Sequence, residues 1–270
     1  MFEYSYQQWI FFFFIYCFFG WIWETCYVSV KQRKFVNRGF LHGPMLPIYG
    51  SGAMAVLIIT LPVHDNPVAV YFVGMLGATC LEYVTGAVME SIFHVRYWDY
   101  SRVPLNLHGY ICLTASVAWG VFSLAMVEYV QPFVEVYILG IPDAVISLAD
   151  LVMFAVFCVD LAVSVTEALD LRTLIQKEKG RDLQLIQKSL TFVMDALNNN
   201  ALYENLQSRK QEESEKLLLL KTELEQKKDA LVRSYEHRIR RASRILERNP
   251  DSTFRRDKIR LEEIKRFFER

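Results

Sequence analysis

Basic side chains are nearly absent from the first 170 residues of this 270-residue chain. Only Lys31, Arg33, Lys34, Arg38, Arg96 and Arg102 occur there, and the other 24 of the 30 lie in residues 171–270. The acids divide more evenly, 13 before and 17 after, so the front carries net charge −7 and the rear +7. A soluble domain rarely leaves such long stretches uncharged. The asymmetry points to a membrane region, residues 1–170, followed by a charged cytosolic extension, residues 171–270. Other absences narrow the chemistry. No G-x-x-x-x-G-K-[ST] phosphate loop, dinucleotide-binding glycine pattern or G-x-S-x-G elbow occurs. ATP hydrolysis by the P-loop route and an enzymatic role are therefore not expected, and energy coupling would need a partner or an ion gradient. The five cysteines sit in apolar segments without metal-finger or redox spacing, and read as small packing residues. Neither H-x-x-x-H nor H-E-x-x-H is present, so no metal and no cofactor is expected, and nothing points to nucleic acid. The first 30 residues lack a basic start and a small-residue cleavage site, and read as a retained helix.

What is abundant is apolar sequence. Residues 4–23 hold no charge, and 8–30 is long enough to cross a hydrocarbon core of about 20 residues. Further spans are expected at 46–62, 68–93, 109–130 and 143–168, with Pro67 and Pro142 marking helix starts. All six basic residues of the front fall in the first and third connections. By the positive-inside rule the N-terminus lies outside and the C-terminus inside. The fold class is all-α: a polytopic membrane bundle of about five helices with a cytosolic helical tail. In that tail Leu217, Leu220, Leu224, Leu231, Tyr235 and Ile239 recur at nearly heptad intervals, fitting an amphipathic helix or short coiled coil. Asn249-Pro250 breaks this pattern. Ser252 could cap a last helix carrying Leu261, Ile264 and Phe268. Solvated helices, a homo-oligomer arm and a basic membrane-surface contact all fit the tail.

Ionisable side chains inside spans are costly and usually face the bundle interior. Here they are Glu24, Glu82, Glu90, Asp150, Asp160 and Glu167. At about 1.5 Å per residue from each span's outer end, all but Asp150 fall in the inner half. Glu82, Gly86 and Glu90 share one helix face, as do Asp160, Ser164 and Glu167. These acids could pair with Arg38, Arg96 and Arg102 and fix the bundle, or line a polar pocket facing the cytosol. Two segments flank them. Residues 39–50 concentrate Gly39, Gly43, Pro44, Pro47 and Gly50 at the mouth of a short span. Interrupted backbone of this kind is tolerated only against protein or a cavity. His42 within it could be a ligand, a proton carrier or a hydrogen-bonded loop residue. The other segment holds Trp98, Asp99, Asn106, His108 and Gly109, a potential lid.

The strings G-F-L-H-G-P-M-L-P-I-Y-G (39–50), L-E-Y-V-T-G (81–86), Y-W-D-Y-S (97–101) and N-L-H-G-Y-I-C-L (106–113), in this order, resemble a bacterial membrane family. It is named ABC-transporter permease of the CmpB type (ABC transporter type IV), and has uncharacterised animal relatives. The resemblance covers roughly residues 10–130. It implies a membrane subunit of a transport system, with a separate ATPase subunit as a possible partner and the lipid bilayer around it. The candidate binding residues are then Glu24, His42, Glu82, Glu90, Trp98, Asp99, Asn106, His108 and Asp160. Gly39, Gly43, Pro44, Pro47, Gly50, Gly86 and Gly109 serve as structural motif positions. The rival readings are a scaffold or signalling protein acting through its tail, and an enzyme at inner-leaflet head groups using His42, Asp99 and His108.

Overall fold

Backbone amides in a bilayer must be satisfied within the segment, so the long apolar runs become helices. The computed structural model describes residues 4–178, 222, 226, 240–241 and 244–253. Helix α1 (Tyr6–Gln32) starts on a capping box in which Ser5 Oγ accepts the Gln8 N–H and Gln8 Oε1 accepts the Ser5 N–H. It stops at Arg33, which adopts left-handed backbone at φ 53°. Helix α2 (Pro47–Thr60) ends in a short 3-10 turn, Leu61–Val63. Helix α3 (Pro67–Phe93) opens on Asn66, whose Oδ1 accepts the N–H groups of Val68 and Ala69. A two-stranded antiparallel hairpin, β1 (Asn106–Leu107) and β2 (Ile111–Cys112), feeds directly into α4 (Leu113–Ala125). A π turn (Met126–Val130) joins α4 to α5 (Gln131–Ile138), and α6 runs from Asp143 to Glu178.

Among the described residues four stretches are long and apolar enough to cross a membrane: Tyr6–Gln32, Pro67–Phe93, Leu113–Ile138 and Asp143–Thr173. The chain is thus a multi-pass membrane protein. Two expected spans differ in extent. The one expected at 46–62 is a 14-residue helix plus a turn, about 21 Å of α-helix, shorter than a hydrocarbon core of about 30 Å. The one expected to end at 130 continues to Ile138, because the π turn carries the chain past Glu128 and Gln131 without ending the helix. Pro132 then falls in the first turn of α5, where its missing N–H is harmless.

The chain divides into two units, Met1–Thr166 with Arg244–Arg270, and Glu167–Ser243. In the first, Phe12, Tyr16, Leu57, Val70, Val127 and Ile146 form the buried core, with α1 packed on α2, α2 on α3 and α3 on α4. The outer face of α6 leaves Leu148, Leu151, Val152, Val156, Val159 and Val163 exposed, an apolar surface suited to lipid. Residues 244–248 are helical and end at Asn249-Pro250, and the segment through Thr253 belongs to this first unit. In the second unit Glu167 and Leu171 are buried, and Arg241 pairs with Asp170 at 3.7 Å. The heptad positions from Leu217 to Ile239 and the last helix with Leu261, Ile264 and Phe268 lie outside the described residues.

Candidate functional site

The acids expected to share one pocket are distributed among three arrangements within the first unit. In the first, Asp160 of α6 holds the Gly/Pro segment. Its Oδ1 accepts the His42 backbone N–H at 2.9 Å and its Oδ2 accepts the Gly43 N–H at 2.7 Å. His42 Nδ1 lies 3.1 Å from both Asp160 Oδ1 and Ser164 Oγ. A Cβ at position 43 would stand 3.1 Å from Asp160 Oδ2, so glycine is what lets the carboxylate approach both amides. Asn37 donates to the His42 carbonyl at 2.7 Å and accepts from the Trp21 indole at 2.6 Å. Non-helical backbone is thereby satisfied by side chains before Pro47 restarts the helix. Gly39 carries the required positive φ, 132°, and Gly50 packs directly against Cys17 and Phe13 of α1. Pro44 lies between the Asp160-bound amides and Pro47.

In the second arrangement, Arg96 gathers the loop after α3. Its Nε donates to Glu90 at 2.6 Å, its Nη1 reaches Asp99 at 3.3 Å, and its guanidinium stacks 4.8 Å from the centre of the Tyr110 ring. Burial alone would raise the Asp99 pKa. The Ser101 backbone N–H, the Thr253 hydroxyl and Arg96 outweigh it and hold Asp99 below the usual carboxylate value. Trp98 donates to the Tyr110 carbonyl at 2.9 Å, and both rings cover Gly86. Asn106 accepts the Gly109 N–H at 3.1 Å and donates to the Val103 carbonyl, closing the hairpin turn. Gly109 has φ 75° and faces the Arg96 and Asp99 side chains, so any other residue there is both strained and crowded. His108 meets only the exposed edge, with the Tyr83 hydroxyl 3.1 Å from Nδ1.

The sequence reading missed that residues 244–253 return to this surface. Arg96 and Thr253 exchange backbone hydrogen bonds at 2.9 Å. Asn249 donates to the Gly39 carbonyl and accepts from Arg38, and Asp251 pairs with Lys31 at 3.3 Å. Arg38 also lies 3.6 Å from Glu24, which accepts the Tyr49 hydroxyl at 2.8 Å.

The third arrangement surrounds Glu82. This carboxylate is buried at 6% exposure, and accepts the Trp119 indole N–H at 2.8 Å and the Tyr100 hydroxyl at 3.2 Å. Burial, then Glu82 itself, raise the Tyr100 phenol above its ordinary pKa, so it stays a donor. Among the described residues no cation pairs with Glu82. Beside it lies a cavity of about 340 Å³ between α1, α2, α3 and α4. Its inner wall includes Val56, Ala78 and Ser123, all buried, while Phe19, Trp23 and Phe122 at its rim are half exposed. Among the described residues no Lys, Arg or His lines it. Of the expected site residues, Glu82 alone lines this cavity, and Glu24 touches it through Tyr49. No cluster of three or more His, Cys, Asp or Glu side chains placed to hold a metal occurs among the described residues.

A fourth polar group had no clear signal in the sequence. Gln131 of α5 is fully buried, accepts the Tyr16 hydroxyl at 2.5 Å and donates to the Tyr4 hydroxyl at 2.9 Å, and Tyr4 in turn donates to Glu135. Only the Gln131-x-x-x-Glu135 spacing on one helix face could have flagged it.

The apolar helices and the satisfied loop together define a multi-pass membrane protein whose helices enclose a cavity. The chain belongs to the family described as "Putative ABC-transporter type IV", whose sequence profile matches residues 11–165. The match runs beyond the stretch that carries the resemblance and takes in the first part of α6, with Asp160. No curated protein and no solved structure matches the chain.

Proposed function

We propose that this chain is the membrane subunit of a transport system of the cell membrane, with the C-terminal residues on the cytosolic side and the Glu82 chamber as its cargo site. The observation that carries the reading is a buried carboxylate with two neutral donors and no basic partner among the described residues, set beside an open cavity. Buried acids that only stabilise a bundle are paired, as Glu90 is with Arg96. An acid left facing a cavity at membrane depth is available to a ligand. Its volume lies in the range of small-molecule sites, about 300–1,000 Å³. The family membership supports a transport role, and the lack of any nucleotide-hydrolysis motif supports a separate ATPase subunit rather than an enzyme. Asp160 and Arg96 serve this reading as fixed supports, holding the loop that leads into α2 and its Tyr49, and the loop that brings Tyr100 to Glu82. The test is to extract a tagged full-length chain in mild detergent and identify its copurifying proteins. A stoichiometric nucleotide-binding ATPase supports a permease subunit. A homo-oligomer with no ATPase overturns that role and favours a scaffold.

A further inference from the structure

The chamber has a polarity and an entrance that narrow its ligand. Four rings run from the rim to the acid. Trp23 lies 6.4 Å from Phe122, Phe122 lies 6.0 Å from Trp119, and Trp119 lies 6.2 Å from Tyr49, measured between ring centres. Within this row Trp119 donates to Glu82, and Tyr49 at its end donates to Glu24. At the other end Trp23 is 59% exposed on α1, a helix long and apolar enough to cross a bilayer. A path lined by aromatic rings and ending in a carboxylate favours positive charge over negative. The Glu82 carboxylate repels anions, and among the described residues no basic side chain lines the path to offset it. A neutral amphiphile would fill the walls and leave the carboxylate desolvated without a counter-charge.

Resting on the transport reading above, we infer that the chamber binds a hydrophobic cation, an amine or quaternary ammonium on an apolar body, admitted from the bilayer between α1 and α4. The ammonium sits against the Glu82 carboxylate. The apolar body lies along Trp119, Phe122 and Trp23.

One position allows the space to be closed without touching the acid. A Cβ on Gly52 of α2 would find only the Leu81 side chain, at 3.8 Å, and Gly52 lines the cavity. A side chain can therefore start at position 52 without a clash, and Gly52→Leu is the variant expected to fill the chamber. The full chain is reconstituted in phosphatidylcholine nanodiscs, and saturable binding of radiolabelled dodecyltrimethylammonium is measured, with dodecyl sulfate and dodecyl maltoside as competitors. The expected result is saturable binding that neither competitor displaces, weakened about tenfold or more by Glu82→Gln and abolished by Gly52→Leu. Equal competition by dodecyl sulfate, or binding unchanged in both variants, overturns the inference. Should Glu82→Gln fail to fold, Gly52→Leu decides alone. Flux separates this claim from the reading beneath it. A cation bound but never moved across proteoliposomes that also hold the copurifying ATPase and ATP upholds the ligand class and sinks the transport role. Loss of cellular function in Gly52→Leu, with no cation bound by wild type, does the reverse.

Discussion

Replacing Asp160 by Asn removes one acceptor from a site built for two. The carboxylate now takes the N–H groups of His42 and Gly43 on separate oxygens, at 2.9 and 2.7 Å. Asn offers one carbonyl oxygen, and its amide then points hydrogens at the other backbone N–H. A hydrogen bond to a charged group contributes about 1.5–3 kcal/mol, and a buried donor left unmet costs about 1–3 kcal/mol. The Asp160 side chain is 15% exposed, so some water can relieve the orphaned amide. The net loss is then about 2–4 kcal/mol, or a fall of about 4–16 °C in Tm at 2–4 °C per kcal/mol for a chain of this size. Intrinsic tryptophan fluorescence during thermal unfolding in detergent reads the Tm. Limited proteolysis at residues 33–46 reads the local release, which should exceed the global effect. Gly43→Ala pushes a methyl to 3.1 Å from Oδ2, and should cost less alone and little more on top of Asp160→Asn. An unchanged Tm with an unchanged cleavage pattern in Asp160→Asn would refute the clamp.

Arg96→Met strands Glu90 and Asp99 without their cation, and should lower stability by about 3–5 kcal/mol, while Arg96→Met with Glu90→Leu recovers much of it. A double variant no more stable than the single one in denaturant titration would contradict that pairing. Asp150 is buried at 6% exposure, with neither carboxyl oxygen hydrogen-bonded, so Asp150→Leu should raise the Tm by removing about 1–3 kcal/mol of unmet desolvation. A lowered Tm would show that the acid has a partner or a task. Because the Asp99 pKa is depressed by folding, its stabilisation is present above the unfolded carboxylate value near ~4 and is lost as pH falls through the lower folded value. Hydrogen-exchange protection of residues 99–109, taken relative to the intrinsic rate at each pH, should therefore hold at neutral pH and fall only in acid, and Asp99→Asn should flatten that dependence.

Long uncharged runs and helix-start signals made the membrane helices legible before any coordinates. Hydrophobic length is a one-dimensional property, and Pro67 sits where its sequence placed it, at the start of α3. The ends were less legible. The helix expected to stop at 130 continues because a π turn, which has no compositional mark, absorbs the polar stretch. Glu82, Glu90 and Asp160 were recognisable as costly acids, but their partners were not. Asp160 meets amides 117 and 118 positions away, and nothing local tells a clamp from a cargo ligand. Trp119 resembled any other apolar helix residue until its indole was seen on Glu82. The docking of Asn249 and Thr253 was invisible for the same reason, since a short polar stretch in a charged tail carries no periodicity.

The most direct measurement is complementation of a strain that depends on this chain, comparing Glu82→Gln and Gly52→Leu at matched membrane levels and Tm. The account expects both variants to accumulate folded and both to lose function, one through the charge and the other through the space. Full function in both, with the protein folded and present, would contradict the chamber as the working site.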